Sequence, residues 1–156
     1  DSAKWYGDIA DITMIDRYPV PWLPLANFSQ HIHKTRLATD ADRPVIAVIQ
    51  SFDWTAHKSQ LPGEKNLRPP TERELRSMTY SALARGANGI FYFSYADMRL
   101  KARKHPELWA ALKRVVGEVR RREALFAAEH VWWPKAHHFE NQDTRFNAAQ
   151  IGRAHV

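Results

Sequence analysis

Three short, largely apolar runs divide the chain, and between them the apolar positions recur at helical spacing. The first run covers Ile9 to Ile15 and closes on Asp16. The second covers Val45 to Ile49 and closes on Gln50. The third covers Gly89 to Phe93 and leads into Ser94-Tyr95. Each is rich in Ile, Val, Phe or Tyr and has the length of a buried strand. The pattern predicts strands over about 9–16, 44–50 and 88–95. In the third, Phe91 and Phe93 are expected to pack against helices, with Tyr92 alternating to the other face.

The intervening segments read as helices. Residues 25–38 follow Pro24 and offer Leu25, Phe28, Ile32 and Leu37 as an inner face; the turn-like Asp40-Ala41-Asp42-Arg43-Pro44 then leads to the second strand. The next helix has the clearest start: Pro69-Pro70 ends the loop, Thr71 can cap, and Glu74 stands three residues later as a capping box. Leu75, Met78, Thr79, Ala82 and Leu83 form its inner face, and Gly86 is placed to end it. The last helix opens near His105-Pro106, with proline in the first turn. Leu108, Leu112, Val115, Val116 and Val119 supply its stripe.

The order β-α-β-α-β-α argues for an α/β protein with parallel strands and covering helices. Strand ends recur at about the spacing of one βα unit in a barrel, but three units cannot close one, and a complete eightfold barrel takes about 250 residues. The expectation is that further units precede Asp1. An apolar edge should then be left on the first strand, where a fifth barrel strand would pair. The tail changes character: His130-Val131-Trp132-Trp133-Pro134 is aromatic, and residues 135–150 are polar and irregular. Residues 151–156, Ile-Gly-Arg-Ala-His-Val, match one reading frame of a common sequencing-adapter oligonucleotide, so read-through beyond Gln150 is expected.

Composition narrows the functional classes. With no cysteine, disulfides and thiolate-ligated metals are excluded. No apolar run has the roughly 18 residues of a membrane span, and the first residues carry no signal-peptide pattern; the compartment stays open. The net charge is +6, part of it in Arg120-Arg121-Arg122. A basic balance suits nucleic acid, but without aromatic–basic interleaving the run reads as a solvated helix end whose cations complement the helix dipole. No glycine motif cradles phosphates. His31/His33 and His137/His138 lack a third ligand at fixed spacing, so neither a metal nor another cofactor is expected.

Chemistry in parallel α/β barrels lies where strands end, which selects three patches. Asp16 and Tyr18 follow the first strand; the carboxylate could orient a sugar hydroxyl or act in catalysis, or simply cap the loop that Pro19 and Pro21 stiffen. Gln50, Phe52 and Trp54 follow the second. The amide can donate and accept at once, and the indole offers a flat face to a pyranose ring; both also suit plain structural roles. Tyr92 and Tyr95 lie in the last residues of the third and Asp97 just beyond it, with Asp97 a second candidate catalytic carboxylate.

These pieces, in this order, resemble glycoside-hydrolase-like (β/α)₈ proteins. Asp11-Ile12-Thr13-Met14-Ile15-Asp16-Arg17-Tyr18-Pro19 is similar to their D-x-x-x-x-D-x-Y-P strand. Pro44 to Gln50, Arg68-Pro69-Pro70-Thr71 with Glu74-Leu75-Arg76, and Ala84 to Tyr95 resemble the elements that follow. The resemblance runs from about Asp8 to Leu112. It implies the C-terminal half of a TIM barrel over residues 1–129, containing the sixth, seventh and eighth strands. It also implies hydrolysis of glycosidic bonds of an oligo- or polysaccharide by the full-length protein, the fragment itself being inactive. Retaining members of the larger clan cleave with two carboxyl groups. Their general acid follows the fourth strand, outside this sequence, and their nucleophile is a Glu ending the seventh, where this chain has Gln50. Three alternatives follow: another carboxylate such as Asp16 or Asp97 serves, or Asp53 lies nearer the mouth, or the barrel binds carbohydrate without cleaving it. A basic nucleic-acid-binding module is the remaining alternative.

Overall fold

A computed structural model describes residues 9–39, 43–61, 63–100 and 105–128. The expectations for residues 40–42, 130–150 and 151–156 lie outside the described residues. The order is β1 (Thr13–Asp16), α1 (Leu25–Ala38), β2 (Val45–Gln50), a 3₁₀ segment (Trp54–Gln60), α2 (Glu72–Ala84), β3 (Gly89–Phe93), a short π-helical turn (Ala96–Leu100), α3 (Pro106–Arg120) and α4 (Glu123–Ala127). The three strands form one parallel sheet in the order β1-β2-β3.

β1 and β3 are shorter than the strands predicted over about 9–16 and 88–95. The β1–β2 ladder starts with Thr13 opposite Val45, and the Thr13 amide donates to the Pro44 carbonyl at 3.1 Å. Proline has no N–H to continue that ladder, so Ile9 and Ile12 precede the sheet. At the other end β3 stops at Phe93, because the Ser94 hydroxyl turns to accept the Asp97 amide at 3.1 Å and begins the next helical turn.

Pairing fixes the faces. Met14, Ile46 and Gly89 lie in register, as do Asp16, Val48 and Phe91, and Gln50 lies opposite Phe93. The alternate set is Ile15, Val45, Ala47, Ile49, Ile90 and Tyr92. It meets Phe28 and Ile32 of α1, Leu75, Met78 and Ala82 of α2, and Leu108, Leu112 and Val115 of α3 in one core. All three long helices therefore cover the same face. The opposite face stays apolar and open, with Met14 50%, Phe91 59% and Phe93 45% exposed. This corrects the expected orientation of β3: Tyr92 faces the helices, while Phe91 and Phe93 face away. An apolar residue does not declare its side; the register opposite β2 does.

The helices begin as their sequence signals predict. In α2 the Thr71 hydroxyl accepts the Glu74 amide, and the Glu74 carboxylate accepts the Thr71 amide. Arg68 grips the same carboxylate through two N–H···O bonds of 2.7 Å. Gly86 ends the helix in the left-handed region at φ +89°, where glycine carries no Cβ penalty. Arg76 joins Glu72 on its own helix to Glu118 on α3, and Arg114 returns to Glu72. Two apolar assignments fail: Leu37 and Val116 are exposed, because the stripe on α1 passes through Thr35 and that on α3 through Leu108, Ala111, Leu112 and Val115. No described helix is long and apolar enough to cross a membrane.

Candidate functional site

Parallel strands deliver their C-terminal ends to one rim, and the loops leaving β1 and β2 meet there. Tyr18 stacks on Phe93 with ring centroids 5.8 Å apart and meets Phe52 edge-on at 4.9 Å. Phe52 in turn meets Trp54 at 4.8 Å and His57 at 5.4 Å. Trp22, 40% exposed, lies 5.6 Å from Trp54 at a tilt of 46°. The result is a continuous aromatic shelf, buried at Phe52 and open at Trp22.

Asp16 ends β1 on the open face and is exposed. It borders a hollow of about 280 Å³ with Met14, Val48, Phe91 and Phe93. The Tyr18 hydroxyl is buried without a hydrogen bond of ordinary geometry among the described residues. Burial, and next the Asp16 carboxylate, hold that phenol protonated well above the usual tyrosine range. Tyr18 therefore enters the site as a neutral hydroxyl.

Gln50 is fully buried. Its Nε2 donates to the Val20 carbonyl at 2.9 Å, and its Oε1 accepts the Val20 amide at 3.0 Å. Trp54 Nε1 donates to the same Val20 carbonyl at 2.8 Å. The Gln50 amide is thus committed to backbone, and no ligand can reach it without displacing the loop after β1.

A second group of polar residues lies between the β2 loop and the start of α3. Asp53 Oδ1 accepts the Thr55 amide at 2.8 Å, capping the 3₁₀ segment. Its Oδ2 faces His105 Nε2 at 2.8 Å, while His105 Nδ1 faces Glu107 at 3.2 Å. Asp97 accepts the Ser94 hydroxyl at 2.5 Å and lies 3.8 Å from His57 Nε2. Phe52, Asp53, Thr55, Asp97, His105 and Leu108 line a cleft of about 280 Å³ here. No set of three His, Cys, Asp or Glu side chains among the described residues is arranged to hold a metal ion.

The structure therefore brings together Tyr18, Phe52 and Trp54, with Asp16 beside Tyr18. Tyr92 also borders the hollow beside Asp16, but its hydroxyl, like the Tyr95 ring, lies elsewhere. The Tyr92 hydroxyl lies 3.0 Å from Thr79 Oγ1 on the helix side, where burial raises its pKa; Tyr95 meets Trp109 of α3 at 5.9 Å. Sequence reasoning missed Trp22, His57, Phe93 and His105 as rim residues. Trp22 was findable, since it follows Asp16 and Tyr18 in the same strand-end loop. The two histidines were not, because only folding brings them to their carboxylates.

Fold and rim define an α/β protein with a small parallel sheet and an aromatic shelf at its carboxyl end. Comparison with known protein families, curated proteins and solved structures returns no match.

Proposed function

We propose that this chain is one side of a carbohydrate-active (β/α)₈ barrel whose sugar site includes the rim described above. The observation that carries the reading is the convergence of Tyr18, Trp22, Phe52 and Trp54, beside Asp16, at the carboxyl ends of consecutive parallel strands. Consecutive parallel strands with every long helix on one face suit a barrel wall. A purely parallel sheet ordinarily has both faces covered, and the apolar Met14, Phe91 and Phe93 suit a barrel interior filled by other strands. Pyranose rings stack their C–H faces on aromatic rings, and a carboxylate such as Asp16 accepts their hydroxyls.

Affinity electrophoresis of the chain in gels containing hydroxyethylcellulose, xylan or laminarin tests the site. Retardation by at least one polymer, lost in Trp22→Ala and Trp54→Ala, is expected; equal mobility of all proteins in every gel would remove the reading. By the resemblance, the general acid follows a fourth strand that lies outside this sequence, so the chain alone should bind without turning over aryl glycosides.

Binding without catalysis is the second reading, and Gln50 favours it. A buried amide bonded to backbone stands where the resemblance expects a nucleophilic Glu. Covalent labelling of Asp16 or Asp97 by a 2-fluoroglycoside would decide for catalysis.

A further inference from the structure

We infer that Gln50 is the positioning residue of the rim, latching the loop after β1 to the end of β2 so that Trp22 meets Trp54. The inference deepens the carbohydrate-site reading and takes its functional meaning from it.

The geometry is that of a two-point clamp. Gln50 ends the central strand, buried, and its amide pairs with both the N–H and the C=O of one residue, Val20. A side-chain amide is suited to this because it carries a donor and an acceptor side by side. Val20, itself 1% exposed, sits between Tyr18 and Trp22, so fixing its peptide groups fixes where both rings leave the backbone. Trp54 Nε1 bonds to the same carbonyl at 2.8 Å. One carbonyl thus anchors both the partner strand end and the partner indole. The Tyr18–Phe52 and Tyr18–Phe93 ring contacts also tie the 17–24 loop to the rim, but they bear on Tyr18 rather than Trp22.

Charge at this position separates positioning from chemistry. A neutral, protonated Glu has the shape and the donor–acceptor pair of Gln, whereas an ionised Glu has two acceptors and would face the Val20 carbonyl with like polarity. Burial favours the neutral form. In Gln50→Glu the latch should therefore be closed in acid and open in base, while the natural protein is indifferent to pH over the same range.

The test reads the tryptophan pair directly. Near-UV circular dichroism of the natural chain, minus that of Trp22→Phe, gives the Trp22–Trp54 contribution. In Gln50→Glu that contribution should match the natural protein at acid pH and vanish as pH rises, with far-UV signal unchanged. In Gln50→Met, isosteric but without hydrogen bonds, it should be absent at every pH. A pair signal in Gln50→Glu that ignores pH, or one that survives intact in Gln50→Met, would overturn the latch. If Gln50→Glu fails to fold, Gln50→Met and Trp54→Phe still decide the matter, since Trp54→Phe retains the Gln50–Val20 bonds and should keep Val20 ordered by amide exchange while Gln50→Met should not. None of these readouts involves a sugar. A confirmed latch in a protein that no polysaccharide gel retards would leave the positioning role standing and the carbohydrate reading refuted. Unchanged retardation of Gln50→Met would do the reverse.

Discussion

Phe28 and Phe91 offer the same substitution in opposite surroundings. Phe28 on α1 is fully buried in the core, and Phe91 on β3 is 59% exposed on the open face. Truncation of a buried Phe to Ala costs about 3–5 kcal/mol, because the lost burial is joined by a cavity the neighbours cannot fill. For Phe91 only about four-tenths of a side chain of roughly 200 Å² is covered, which at about 25 cal/mol per Å² gives about 2 kcal/mol as an upper bound. No enclosed cavity remains there, so about 1 kcal/mol is the expected cost. In a chain of this size each kcal/mol moves the midpoint by about 2–4 °C. Phe28→Ala should lower the thermal midpoint by about 10 °C and Phe91→Ala by about 3 °C. Thermal unfolding followed at 222 nm measures both. Equal losses would mean that Phe91 packs as deeply as Phe28. The open sheet face, and with it the barrel-wall argument, would then be wrong.

The other predictions concern single contacts. Thr71→Ala removes the cap of α2 and should cost about 1 kcal/mol in urea unfolding; a loss below the error of the measurement would contradict the capping box. Arg68 holds the Glu74 carboxyl at about 2, and Arg114 with Arg76 holds that of Glu72 at about 2, both below the ordinary 4.5. Depressed carboxyls stabilise the fold fully above about 4.5 and lose that contribution as pH falls toward 2. Glu74→Gln should therefore flatten the acid limb of the stability profile, and a profile parallel to that of the natural protein would count against it. Asp16→Asn should lower the Tyr18 pKa by removing one of the influences that raise it, seen as earlier phenolate absorbance in alkaline titration; no movement would separate the two groups. His105→Ala removes the partner of the buried Asp53 Oδ2 while the Thr55 amide keeps Oδ1 and should cost about 1–3 kcal/mol, measured by denaturant midpoint, with Asp53→Asn partly restoring it in the double variant.

Much of the local architecture was legible along the chain. Thr71 and Glu74 announced the start of α2, Gly86 its end, and Pro106 the start of α3, because capping chemistry acts over one turn. The three strands were legible from runs of Val, Ile, Phe and Tyr, and their parallel order from the alternation with helices. The site was legible only in outline. The rule that strand ends carry function selected Asp16, Tyr18, Phe52 and Trp54, which lie together at the rim, but also Tyr92, Tyr95 and Asp97, whose polar groups and rings meet other partners. The same rule could not distinguish Gln50, whose amide is spent on Val20, from a residue facing a ligand.

What the sequence determined by itself is where the chain becomes helix or strand, since propensity, caps and apolar spacing are properties of neighbours within a few residues. What only the tertiary structure decided is orientation. Register between β2 and β3 turned Phe91 and Phe93 to the open face and Tyr92 to the helices, and the return of the β1 loop brought Val20 to Gln50 and Trp22 to Trp54. These pairings join residues about 30 or more positions apart, and a contact at that distance depends on how whole elements stack, which no local window of sequence contains.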